Sequence, residues 1–200
     1  MINGFDDAPV LVKDFLSYMQ TIKGKSLNTV QVYLYDLRVF LRFLKLHKKL
    51  VPADTDFDSI DISDVDENLL KSVTLSDLYS YMSFVSNSRS NSVYARARKV
   101  ASLKSFFKYL TNKAKVLESN PAQELESPKI IKRLPRYLNI EESKKLLSSV
   151  DGKYSSRDYA ILTLFLNCGL RLSELVGINL NSIKNNTLRV IGKGNKERII

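Results

Sequence analysis

The residues best suited to chemistry lie between positions 167 and 200. An apolar helical run is interrupted at Gly169 and continues as Leu170-Arg171-Leu172-Ser173-Glu174-Leu175. Glycine adopts backbone conformations that other residues avoid, so Gly169 can end one helix and let the next start at an angle. Arg171 then projects a guanidinium where two helices meet. Its planar fork can hold two non-bridging oxygens of one phosphate, which an ammonium cannot. The residues also admit a local reading, an ion pair between Arg171 and Glu174 three positions on. A second group follows in Gly192-Lys193-Gly194-Asn195-Lys196-Glu197-Arg198. The β-branched run 187–191 reads as a strand, Gly194-Asn195 as a hairpin tip, and 196–200 as the returning strand. An ammonium at Lys193 can reach a bound ligand and protonate a leaving alkoxide; an exposed turn is also an ordinary place for a hydrated lysine. Lys196 and Arg198 are expected as phosphate contacts. The glycine spacing fits neither a P-loop nor a dinucleotide fingerprint, which excludes both modes of nucleotide binding.

The chain around these motifs has 200 residues, 44% of them hydrophobic, enough for one large or two small domains with real cores. There are 31 Lys+Arg against 21 Asp+Glu, a formal charge of +10, and the surplus favours a polyanionic partner. Residues 54–67 carry −7 and the remainder +17, so the acidic stretch reads as a solvated connector. One cysteine, Cys168, excludes an internal disulfide and fits a reducing cytoplasm. The single histidine, His47, leaves no multi-histidine metal centre, and a surface role is expected for it. No segment reads as a signal peptide or a membrane span, so a cytoplasmic protein with no membrane partner is expected.

Four helices are predicted in the first half. Apolar residues recur at helical spacing through Val10–Met19, Val30–Leu44, Leu78–Val85 and Val93–Leu110. Ser26 is a good N-cap for the second, and Thr74 with Asp77 resembles a capping box for the third. Short connections make this a bundle over residues 8–112. Residues 113–136 contain Asn120-Pro121, Ser127-Pro128 and Leu134-Pro135 together with Lys129, Lys132, Arg133 and Arg136. They read as an extended basic linker. A second domain, 137–200, opens with a helix capped by Asn139 and Glu142. The overall class is mainly α, followed by a mixed α+β portion with a β-hairpin.

Two helices carry a basic polar side. On the helix from Asn91 to Leu110, Tyr94, Arg96, Arg98, Lys99, Ser102 and Lys104 fall off the apolar face. The helix from Ser26 offers Lys25, Asn28, Thr29, Gln31 and Arg38. Such faces suit the major groove of duplex DNA, although a charged stripe is also the usual wet side of a bundle helix.

With these residues in view, Gly169–Leu175 followed by Arg189–Arg198 closely resembles the tyrosine recombinase/integrase family, nearest its Xer type. The resemblance extends over nearly the whole chain. It implies an N-terminal SAM-like core-binding bundle that grips duplex DNA, then the first part of a catalytic domain. It implies that Arg171 holds the scissile phosphate, that Lys193 is the general acid toward the leaving 5′-oxygen, and that Glu174 supports the arginine. It implies site-specific cleavage and rejoining through a 3′-phosphotyrosyl link, with no cofactor and no metal. Homo- or hetero-tetramers on DNA are expected of the full-length protein. The family's His-x-x-Arg motif and nucleophilic tyrosine have no match within residues 1–200, so these residues alone are expected to bind DNA weakly and not to cleave it. The alternative is a non-catalytic DNA-binding protein that uses only the helical domain; a basic RNA-binding protein is more remote.

Overall fold

The computed structural model describes residues 7–131, 134–192 and 194–200. The chain divides into two compact units, 1–132 and 133–200.

In the first unit the helices are α1 (Val10–Thr21), α2 (Leu27–His47), the short α3 (Glu67–Lys71), α4 (Leu75–Asn87) and α5 (Val93–Asn112). Their starts are chemically marked. Ser26 and Ser92 accept the N–H groups of Thr29 and Ala95, satisfying first-turn donors of α2 and α5. Thr74 and Asp77 form a reciprocal capping box at α4. The apolar faces meet in one core, where Phe15, Phe40, Tyr81, Phe106 and Phe107 are fully buried. Phe40 sits edge-on to Tyr81 and Phe107, with ring centroids 5.2 and 6.0 Å apart. Aromatic pairs of this kind add to area burial. Desolvation pushes the Tyr81 phenol well above its usual pKa.

Two segments depart from expectation. The acidic stretch 54–67 is a strap packed on the bundle. Ile60, Ile62 and Val65 are buried. Asp58 pairs with Arg42 and Arg89, and the Lys45 ammonium lies 2.7 and 2.8 Å from the two Asp64 carboxylate oxygens. The Phe57 ring lies 5.2 Å from Phe84, tilted to it, with the Arg89 guanidinium over its face. A seven-acid stretch stays folded here because α2 meets it with Arg42 and Lys45, Arg89 adds a cation just past α4, and Ile60 and Ile62 are buried. The predicted extended linker also starts later than 113. Asn120 Oδ1 accepts from the Ala122 N–H, and the resulting turn buries Leu117, Ala122 and Leu125 against the bundle core. Apolar side chains spaced between the prolines outweigh the loop-forming signal.

The second unit holds α6 (Ile140–Ser148), α7 (Ser155–Cys168), α8 (Leu172–Val176) and strands β1 (Ile183–Lys184), β2 (Thr187–Ile191) and β3 (Glu197–Ile199). Asn139 and Glu142 cap α6 reciprocally. The strands form an antiparallel sheet in the order β1-β2-β3, with Val190 opposite Arg198. The β1–β2 hairpin was not expected. It turns on Asn185 and Asn186, both at positive φ (47° and 61°), which asparagine tolerates. Among the described residues no helix is long and apolar enough to cross a membrane.

Candidate functional site

Gly169 is the C-cap of α7 in the left-handed conformation, φ 56°. The chain leaves the helix there and restarts as α8 with Arg171 at its N-cap. Glu174, one turn in, reaches back. Its Oε2 accepts from the Arg171 backbone N–H at 2.9 Å, and its Oε1 from the Arg171 guanidinium Nη1 at 2.8 Å. The local ion pair and the projecting arginine, set as alternatives by the sequence, are therefore both present. Glu174 is buried, yet the Arg171 side chain is 70% exposed. One nitrogen anchors the fork while the rest faces outward.

The β-sheet joins the same carboxylate. Arg198 on β3 places Nη2 2.8 Å from Glu174 Oε2 and 3.3 Å from the Gly169 carbonyl. Hydrogen bonds from the Arg171 backbone and then its guanidinium, with the Arg198 charge added, outweigh desolvation and hold the Glu174 carboxyl below the usual range. Gly192, where β2 turns, has no room for a side chain, since a Cβ would lie 2.9 Å from Glu174 Oε1. Its N–H donates to the Lys196 carbonyl at 2.7 Å and closes the turn. Lys196 is exposed. Lys193 lies outside the described residues.

The expected DNA face of the first unit sorts into three groups. Lys25, Asn28 and Tyr94 are exposed at the starts of α2 and α5, and Thr29, half-buried, shares a 3.0 Å hydroxyl contact with the N-cap Ser26. Lys104 is half-buried on α5, and Arg96 gives Nη1 to the Ser86 hydroxyl on α4. Arg38 forks onto Asp7 at 2.8 and 2.6 Å, which occupies its planar edge. Lys99 does not face outward. It is 2% exposed, with Nζ 2.9 Å from Asp36 Oδ1, and Arg98 and Ser102 complete the cluster on Asp36 Oδ2. The signal that could have shown this is Asp36 itself, the one acid in α2, set between Leu34 and Leu37 on an apolar face. His47 is exposed, as expected, and there stacks 5.1 Å from Phe43 and meets the Asp77 carboxylate at 3.2 Å. Among the described residues no group of three His, Cys, Asp or Glu side chains is placed to hold a metal.

This geometry has relatives. The model of the phage integrase N-terminal SAM-like domain matches residues 12–114, and that of the phage integrase family matches 136–200. The chain belongs to the phage integrase family. Curated proteins it resembles include Xer-type tyrosine recombinases. It is 61% identical over 192 residues to tyrosine recombinase XerC of Caldanaerobacter subterraneus subsp. tengcongensis, covering 96% of this chain and 54% of that protein. It is 34% identical to tyrosine recombinase XerD of Listeria monocytogenes, covering 95% and 59%. The chain thus spans somewhat over half the length of the curated relatives it matches. The fold is similar to that of the Tn1549 transposon integrase, solved in complex with circular intermediate DNA. That comparison has a TM-score of 0.50 and 19% identity, over 81% of this chain and 58% of the other.

Proposed function

We propose that this chain supplies the DNA-gripping helical unit and the first phosphate-holding cations of a site-specific DNA recombinase in the cytoplasm. The observation that carries the reading is the Arg171 guanidinium, anchored by one nitrogen to a buried carboxylate and otherwise open. The exposed part of the fork is thereby left to meet the oxygens of a phosphate. The similarity to named tyrosine recombinases, and the DNA held by the Tn1549 integrase, support duplex DNA as the partner. Assembly on DNA is as a homo- or hetero-tetramer of the complete protein.

In this reading Arg171 holds the non-bridging oxygens of the scissile phosphate, and Glu174 fixes the arginine's direction. A tyrosine oxygen bonds to phosphorus as the bond to the 5′-oxygen breaks, and Lys193 delivers the proton that oxygen needs. No tyrosine within residues 1–200 is assigned as that nucleophile. The fixed positive charge stabilises the crowded transition state.

A nicked suicide duplex tests this in the complete recombinase. Arg171→Ala should abolish the covalent protein–DNA complex while DNA affinity is retained; normal trapping would overturn the assignment. Lys193→Ala should slow cleavage and be rescued when the leaving 5′-oxygen is sulfur, which departs without protonation. A failure of rescue would remove Lys193 as the acid.

A further inference from the structure

Arg198 was expected to contact phosphate, but its surroundings suit another role. Its Nη2 lies between two fixed acceptors, Glu174 Oε2 at 2.8 Å and the Gly169 carbonyl at 3.3 Å. Glu174 is 2% exposed and already serves Arg171 twice. One buried carboxylate therefore connects the corner between α7 and α8 to strand β3. The β2 turn presses on the same group, with space for no more than hydrogen at Gly192. We propose that Arg198 is a positioning residue. Through Glu174 it locks the β2–β3 hairpin to the Arg171 corner, so that the hairpin and the phosphate-holding guanidinium keep one spacing.

The chemistry explains why arginine is required. Without Arg198, Glu174 would hold a single cationic partner among the described residues, and no described hydrogen bond or ion pair would tie the hairpin to the corner. Both contacts use one nitrogen, Nη2, at the outer end of a rigid planar group; a lysine ammonium keeps the charge but sits on a shorter, flexible stem and does not reach the same point. Misplacement of reacting groups by about 1 Å costs on the order of 100-fold in rate. A positioning role and a phosphate contact thus predict opposite results for Arg198→Lys.

The inference rests on the proposed recombinase activity, and two measurements separate the two. In the complete recombinase, Arg198→Lys should lower single-turnover cleavage on the suicide duplex by roughly 100-fold, with DNA affinity and its salt dependence unchanged. Unchanged cleavage, or weaker binding with a flatter salt slope, would overturn the proposal. In the 200-residue chain without DNA, Arg198→Lys and Arg198→Met should both speed amide exchange at Arg171 and Gly192. Protection equal to wild type would overturn the lock whether or not the protein cleaves DNA. A wild-type protein that traps no DNA, yet shows the exchange effect, would sink the recombinase reading and leave the lock standing.

Discussion

Lys99 Nζ lies 2.9 Å from Asp36 Oδ1, and both residues are buried at the contact between α2 and α5. Arg98 and Ser102 share the second carboxylate oxygen, and the Lys99 ammonium also lies 5.2 Å from the Tyr35 ring centroid. Removing one partner of such a pair strands a charge away from water. Asp36→Ala is therefore expected to destabilise the first unit by about 3–5 kcal/mol. Chemical denaturation followed by circular dichroism would measure it, and a loss below about 1 kcal/mol would mean that Lys99 finds solvent.

Acid should loosen the junction between α2 and α4. Burial opposes ionisation of Asp77, but the Lys48 ammonium and the N–H and hydroxyl of Thr74 outweigh it and hold the carboxyl below its ordinary value of 3.8. A lowered folded pKa contributes stability that is present above the unfolded value and lost as pH falls through the folded one. Asp77→Asn should be less stable than wild type at neutral pH, and the gap should narrow as pH falls below 3.8. Thermal melts across that range would show it; a gap independent of pH would contradict it.

The proposed DNA surface makes a salt prediction. Each lost phosphate contact reduces the slope of log affinity against log salt by about 1. Replacing Lys25 and Lys104 together by alanine should flatten the slope by about 2, leaving the melting temperature close to wild type. Lys99→Ala should do the reverse, lowering the melting temperature with little change in slope. Fluorescence anisotropy on a duplex at several salt concentrations decides between them.

Gly192→Ala places a methyl group 2.9 Å from Glu174 Oε1. The carboxylate is pinned on three sides, so the turn must give way. The variant should lose cleavage on the order of 100-fold while binding DNA as wild type does. Equal cleavage would show that the turn has slack at this point.

Much of this arrangement is legible in the residues. The Gly169 break, the Thr74–Asp77 and Asn139–Glu142 capping boxes and strand 187–191 are local signals, and the structure has them where the spacing puts them. What escaped depends on distant partners. The strap at 54–67 reads as solvent-loving until Arg42 and Lys45 arrive from α2 to meet it. Lys99 reads as surface because its acid is 63 positions away. Arg198 reads as a free cation because Glu174 and Gly169 reach it only through the fold. The Asn185-Asn186 turn is hidden in the sequence for a different reason. Its first strand is two residues long, too short to show alternation.

The strap also determines where the protein can be edited. Residues 58–65 are pinned by ion pairs and inward-facing isoleucines, so foreign sequence placed there would tear the bundle open. Pro52, Ala53 and Asp54, by contrast, stand exposed at its near end, and exposed loop tips are where inserted chain is tolerated. A fluorophore tag or an affinity peptide grafted at that tip should report on the protein without unpicking the belt.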